Sequence, residues 1–336
     1  MVKDWRNISM LIAGCGSIGK RHARVLSTLG VGDVRACDPS SQQRRSLLEQ
    51  VPSVKTYDSF EAGLDDRPDT VLICTPPAVH VPMARQAIEA GCHVLTEKPL
   101  SDSTDGIDEL AALAEKHRKK VMVALCFRYH DGLVKAKDYL DSGRIGRLVS
   151  VRALMGESLP DVRPDYRNLF SAKEGGAFDL VHDVDLAIWY AGQPIRTVHC
   201  VCGSYSDIAI EAPDVVEILM DFEDRCLATV HLDFFQRPRR RQIELIGVGG
   251  VIVVEFANWD RATVSVYEAA RGQWETEELN TDRDDMFWAE DREFLEAVAD
   301  DKPVRCTIAE GRKSLETVVA AQRENTACKQ RKGQKP

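Results

Sequence analysis

Through the first 127 residues, short continuous apolar runs alternate with amphipathic stretches. The apolar runs at 9–13, 33–37, 71–74, 93–96 and 121–126 predict strands. The intervening segments 17–29, 41–50, 79–90 and 104–119 carry helical spacing or N-terminal caps. Continuously apolar strands separated by helices predict a parallel sheet covered on both faces, and right-handed crossovers make it doubly wound.

After His130 the pattern changes. A helix at 133–141 leads to a strand at 147–155, a loop rich in Pro, Arg and Asp, and a helix at 177–190. Strands follow at 197–205, 215–222, 226–234, 242–247, 251–256 and 262–267, and helices at 285–299 and 308–329 close the chain. Within 226–235, Cys226, Ala228, Val230, Leu232 and Phe234 fall on one face, with Thr229, His231 and Asp233 on the other. That alternation predicts an antiparallel sheet with one face on a core. The expected organisation is an α/β chain: a doubly wound parallel-sheet domain at 1–127, a second α/β domain with a large open, mostly antiparallel sheet at 128–330, and a basic tail at 331–336.

The chain has 336 residues, with 44 Lys and Arg against 53 Asp and Glu, for a net charge of −9. This acidity argues against a nucleic-acid surface. The basic stretches at 237–241 and 329–335 are too short to reverse it, and read as a solvated strand end and a frayed terminus. Ten cysteines lack metal-ligand or framework spacing, and Cys15, Cys37, Cys74 and Cys92 lie in or beside predicted buried strands. Such usage fits a reduced, cytoplasmic protein. Residues 1–7 lack the apolar core of a signal peptide, and no apolar run is long enough for a bilayer, so no membrane partner is expected.

The first predicted strand runs into Gly14-Cys15-Gly16-Ser17-Ile18-Gly19 and then a helix. The first glycine permits the turn, the second lets a pyrophosphate approach the backbone, and the third packs helix on strand. Helix N–H groups then meet the phosphates. Asp38, ending the second strand, is placed to accept from a ribose diol and favours NAD over NADP, although Ser40, Ser41, Arg44 and Arg45 could accommodate a 2′-phosphate. Cys74-Thr75-Pro76-Pro77 is a stiff loop suited to wall the nicotinamide ribose. Ser17, Ile18, Thr75, Pro76, His80, Glu97 and Lys98 complete the expected cofactor contacts.

Lys98 stands in Thr96-Glu97-Lys98-Pro99, where a further strand of the same sheet should end. Ligands of open α/β sheets bind beyond the carboxyl ends of the strands, so the glycine run and Lys98 point into one crevice. Adjacent strand residues face opposite ways, which turns Lys98 away from Glu97. Asp179, His182 and Asp185 recur every third residue along a predicted helical stripe. They can be read as an acid–base group, a metal site or an acidic first turn; beside a nucleotide domain the acid–base reading ranks first and no metal is expected.

Together the glycine run, the Pro-Pro loop, Glu97-Lys98-Pro99 and Asp179…His182…Asp185 resemble the Gfo/Idh/MocA oxidoreductases over nearly the whole chain. The resemblance implies a Rossmann domain followed by an α/β domain with a large open sheet. It also implies NAD(P)-dependent oxidation or reduction of sugars, inositols and related polyols. Lys98 and His182 then take the catalytic positions, with Asp179 as the accompanying acid. Two departures concern substrate contacts: Asp179 lies three rather than four residues before His182, and Cys126 stands where many members have Asn. The stretches 165–167 and 232–241 look closer to a subgroup associated with surface-polysaccharide genes. Arg128, Tyr129, Arg163, Tyr166 and Arg167, with Asp179 and His182, are the candidate grips on a carbohydrate-like substrate. The expected assembly is a homodimer or homotetramer through the open sheet. A redox-assisted glycosidase and a non-catalytic nucleotide sensor are the competing functions for the same motifs.

Overall fold

The computed structural model describes residues 4–163, 166 and 176–331. They form two compact units. The first comprises the chain through Tyr129 together with Asp284–Leu315; the second comprises His130–Arg283 and the chain from Glu316. A boundary drawn at 127/128 from the sequence does not include the return of Asp284–Leu315 to the first unit.

In the first unit, β1 (Met10–Ala13), β2 (Val34–Cys37), β3 (Lys55–Tyr57), β4 (Thr70–Ile73), β5 (His93–Glu97) and β6 (Val121–Ala124) form one sheet in the order β3-β2-β1-β4-β5-β6. Every pairing is parallel. The strand order reverses beside β1, which is the topological switch point of a doubly wound sheet. Residues of β1, β4 and β6 are buried along their whole length, as sheets covered on both faces require. Helix α1 (Ser17–Leu29) buries Gly19, His22, Ala23, Val25, Leu26 and Leu29 at helical spacing and ends on Gly30 in the left-handed region. Helices α2 (Ser41–Gln50) and α3 (Phe60–Asp65) start on Ser40 and Ser59, whose side chains accept first-turn N–H groups. Helix α4 (His80–Glu89) follows a 3-10 turn at Pro77–Val79, and α5 (Ile107–His117) follows Gly106. Neither β3 nor α3 was expected; a three-residue edge strand is too short for a periodicity to declare itself.

The second unit holds α6 (Asp131–Asp141), β7 (Leu148–Ser158), the short helix α7 (Leu159–Val162), and α8 (His182–Ala191). Its other strands are β8 (Ile195–Gly203), β9 (Val215–Phe222), β10 (Leu227–Asp233), β11 (Phe235–Gly247), β12 (Gly250–Glu255), β13 (Arg261–Glu268) and β14 (Gln273–Asn280). They form a sheet in the order β14-β13-β12-β11-β7-β10-β9-β8. Only β7 and β10 pair in parallel among these strands. The inner face carries Val216, Ile218, Met220, Ala228, Val230, Leu232, Ile243, Leu245, Ile252, Val254, Val264 and Val266, all buried. Helices α6 and α8 pack against this sheet. The sequence did not announce β14, because Gln273–Asn280 is an edge strand with polar residues on both faces.

Helices α9 (Asp285–Ala299) and α10 (Ile308–Arg331) complete the chain. Cys15, Cys37, Cys74, Cys92, Cys126, Cys200, Cys202, Cys226 and Cys306 are buried, and none of them is in a disulfide. No helix among the described residues is long and apolar enough to cross a membrane.

Candidate active site

The glycine turn is built as its spacing requires. Gly14 has φ +100, and a Cβ there would stand 2.6 Å from the Cys74 carbonyl oxygen at the end of β4. A Cβ on Gly19 would stand 2.0 Å from the Gly14 carbonyl oxygen, so α1 can approach β1 only without one. Gly16 is different: a Cβ there would meet nothing within 4 Å. As N-cap of α1 it supplies no side-chain acceptor, which leaves the first-turn N–H groups to an outside anion. Ser17 is exposed, Ile18 half-buried and Gly19 buried. Asp38 is half-buried; its Oδ2 accepts the Cys15 N–H and its Oδ1 the Ser40 N–H, both at 2.8 Å. Its carboxylate is thereby fixed beside the turn. Burial, reinforced by Asp38, pushes the Cys15 thiol up to about 11, so Cys15 is packing and not a nucleophile.

The carboxyl ends of β4 and β5 carry the next residues. Thr75 is half-buried and Pro76 exposed. The fully buried His80 ring lies between the carbonyl oxygens of Thr75 (2.7 Å) and Pro99 (2.9 Å). It ties the Pro-Pro loop to the segment that follows Lys98, whose bond to Pro99 is cis. Lys98 is half-buried, while Glu97 is buried and points into the unit, as alternation along a strand demands.

The Asp179 stripe needs correction. Gly176–Leu180 is a 3-10 turn, and α8 begins only at His182. Gly176 has φ +59 and packs against Pro213, whose carbonyl accepts the Ala177 N–H, so the continuous helix expected at 177–190 is interrupted. Asp179 is exposed, His182 half-buried and Asp185 buried, so the three do not form one helical face. Asp183, which follows His182, is 1% exposed and makes a two-pronged ion pair with the buried Arg241 on β11 (2.7 and 3.1 Å).

That pair also corrects the basic stretch. Arg241 is not on a solvated strand end, and Arg237 pairs with Asp161 while Arg239 pairs with Glu157. Arg128 and Tyr129, two of the expected substrate grips, are buried and partnered within the first unit. Arg128 is 6% exposed and bonded to Glu310 at 2.7 Å; Tyr129 is 5% exposed, with its hydroxyl on Cys306 and its ring under Arg305. Arg163 is exposed after α7, and Tyr166 is buried with its N–H on the Arg163 carbonyl. Arg167 lies outside the described residues.

Comparison with known proteins decides the family. Residues 8–125 match the oxidoreductase family model with an NAD-binding Rossmann fold, Gfo/Idh/MocA, and residues 133–253 match a C-terminal domain model of that family. The chain belongs to the Gfo/Idh/MocA family. It is 27% identical over 231 residues to the uncharacterized oxidoreductase YrbE of Bacillus subtilis, covering 65% of each chain. It is 27% identical over 199 residues to inositol 2-dehydrogenase of Rubrobacter xylanophilus, covering 58% of this chain and 56% of that protein. The matched stretch is thus under two thirds of these relatives' length. Among solved structures, GenD2 from gentamicin A biosynthesis in complex with NAD superposes with a TM-score of 0.79 at 26% identity, covering 95% of this chain and 94% of that one. In this Gfo/Idh/MocA protein the stretch matched by the NAD-binding model contains the glycine turn, Asp38, the Thr75-Pro76 loop and Lys98.

Three groups escaped the sequence reading: His22, Glu290 and Asp291, all fully buried in the first unit. Their signal was available. His22 sits on the apolar stripe of α1 three residues after Gly19, and two acids interrupt the stripe Phe287, Phe294, Leu295 of α9.

Proposed function

We propose that the protein is an NAD-dependent oxidoreductase interconverting a secondary alcohol and a ketone on a sugar, inositol, sugar acid or nucleotide sugar. One arrangement carries the reading: the open side of Gly16, the fixed Asp38 carboxylate and Lys98 all lie at the carboxyl ends of β1, β2 and β5 of one parallel sheet. The donor set fits the dinucleotide. Unclaimed helix N–H groups suit a pyrophosphate, a carboxylate suits a ribose diol, and a Cβ-free face gives room for close approach.

When bound, the nicotinamide accepts or returns a hydride. The chain's own residues handle the accompanying charge and proton. Lys98 donates a hydrogen bond to the substrate oxygen and stabilises the negative charge that develops there. His182 takes the hydroxyl proton in oxidation and returns it in reduction. Asp179 has only an accompanying part, since it stands on a separate turn. Arg128, Tyr129, Arg163, Tyr166 and Arg167 are the proposed substrate contacts. Asp38 gives NAD the advantage over NADP, because its carboxylate repels a 2′-phosphate.

The outer face of the second sheet exposes Val201, Leu219 and Leu227, at 55%, 40% and 47%. Apolar exposure of this kind supports self-association as a homodimer or homotetramer. Light scattering that returns a monomer at micromolar concentration removes that proposal.

The activity is tested by a screen at the reduced-nicotinamide absorbance, offering inositols, sugars, sugar acids and nucleotide sugars with NAD and with NADP. On the substrate found, Lys98→Ala and His182→Ala are each expected to lower kcat by about 10²–10³-fold while NAD still binds. Near-wild-type turnover in either variant refutes the corresponding role.

A further inference from the structure

The His22 ring is wholly buried, and both its nitrogens face carboxylates. Nδ1 lies 2.9 Å from each oxygen of Asp291, and Nε2 lies 3.2 Å from Glu97 Oε1. A neutral imidazole has one N–H and one lone pair, and a lone pair cannot face a carboxylate oxygen favourably. Burial raises the Asp291 carboxyl while the His22 ring opposes that rise, and with both carboxyls ionised both nitrogens carry protons. Burial pushes the ring toward neutrality, but Asp291 and Glu97 overrule it and raise the pKa to about 10. The fourth member is Glu290, fully buried, with no hydrogen-bond partner for either carboxyl oxygen among the described residues. Burial first, and then the charge of Glu97, push it well above the usual carboxylate range, so it is a neutral acid. The cation of this cluster is the imidazolium, which has no lone pair to offer a metal ion.

Glu97 has a second bond. Its Oε2 accepts the backbone N–H of Lys98 at 3.0 Å. A continuous chain thus runs from Asp291 on α9 through His22 on α1 to Glu97 on β5 and the Lys98 backbone. We propose that His22, paired with Asp291, is a positioning residue: it clamps the Glu97 carboxylate, which in turn holds the Lys98 backbone at the exit of β5. The inference rests on the reading of Lys98 as the group that meets the substrate oxygen. A lysine side chain is long and mobile, so its aim depends on a fixed root, and misplacing a reacting group by about 1 Å can cost about 10²-fold in rate.

Two measurements test it. In protein labelled with 15N-histidine, the His22 signals are identified by their loss in His22→Gln. They are expected to show a doubly protonated ring at pH 8.5; a neutral ring at pH 7–8.5, or a stoichiometric bound metal, overturns the proposal. On any substrate returned by the absorbance screen, His22→Gln and Glu97→Gln are each expected to lower kcat at saturating NAD about 10–100-fold, and His22→Gln, at a residue outside the expected cofactor contacts, to keep its Kd for NAD within about threefold of wild type. Because both act through one chain, the double variant is expected to be no slower than the slower single one. Multiplying losses, or wild-type kcat in His22→Gln, overturn the proposal. If His22→Gln does not fold, Glu97→Gln supplies the kinetics, and Asp291→Asn replaces it in the spectrum, with a ring that loses a proton by pH 8.5. Failure of the underlying reading is separate: an active Lys98→Ala refutes the role of Lys98, whereas an inactive Lys98→Ala beside a fully active His22→Gln refutes only the positioning role.

Discussion

Arg241→Met is expected to destabilise the second unit strongly. Arg241 and Asp183 are 5% and 1% exposed, joined by two hydrogen bonds of 3.1 and 2.7 Å, and the guanidinium lies 5.2 Å from the Phe256 ring centre. Methionine keeps most of the packing volume and removes the cation. The Asp183 carboxylate is then left buried opposite an apolar group, and breaking a buried pair in this way costs about 3–5 kcal/mol. For a unit of this size each kcal/mol is worth about 2–4 °C, so the calorimetric transition should fall by roughly 6–20 °C. The double variant Arg241→Met/Asp183→Leu removes both charges and should recover most of the loss, since an apolar replacement of a whole buried pair is close to neutral. Scanning calorimetry with urea unfolding followed by tryptophan fluorescence reads both quantities. A loss below about 1 kcal/mol for the single variant, or a double variant no more stable than the single, refutes the reasoning. The first result would mean that water reaches the pair; the second, that Arg241 acts through packing alone.

Two further outcomes are expected. Asp38→Ala should weaken NAD binding about tenfold, or about 1.4 kcal/mol, in titration calorimetry. Since the Cys15 and Ser40 N–H groups lose their acceptor for either cofactor, the diagnostic quantity is the NAD-to-NADP ratio, and an unchanged ratio refutes the selectivity of Asp38. Glu290→Met should stabilise the first unit by about 1–3 kcal/mol at neutral pH, because an unpartnered buried acid is removed. The sign follows from its raised pKa: the folded state holds a proton that the unfolded chain releases above the ordinary value of 4.5, so the native acid costs stability as pH rises. The gain should therefore be larger at pH 8 than at pH 5, and a gain that shrinks with rising pH contradicts the neutral acid.

What the sequence revealed and what it concealed differ in the range of the forces involved. The glycine turn was legible because its main signals fall within one strand–turn–helix segment: a left-handed turn at Gly14, a close contact of Gly19 on the Gly14 carbonyl and an open face at Gly16. The same holds for the parallel sheet and for the buried alternation from Ala228 to Leu232, which the structure reproduces. Arg241 was misread because its character comes from Asp183, 58 residues away, and nothing in a run of arginines tells which one will be buried. His22 was passed over for the same reason, its partner Asp291 being 269 residues distant.

Asp179 was misread for a different reason. Its spacing from His182 is a true helical interval, but the interval presumes an unbroken helix. Gly176 in the left-handed region and the Ala177 N–H on the Pro213 carbonyl pin that segment from outside, and a 3-10 turn results. A departure of one residue from the usual Asp-to-His spacing therefore says little about the reaction when the two residues stand on different elements. What travels with His182 is the start of α8, and that start is anchored by Asp183 on Arg241. The carboxylate that governs where the histidine sits is then the buried one that follows it, so Asp183→Asn should disturb catalysis more than Asp179→Asn, with kcat on the identified substrate as the measure. The reverse order would make Asp179 the governing carboxylate.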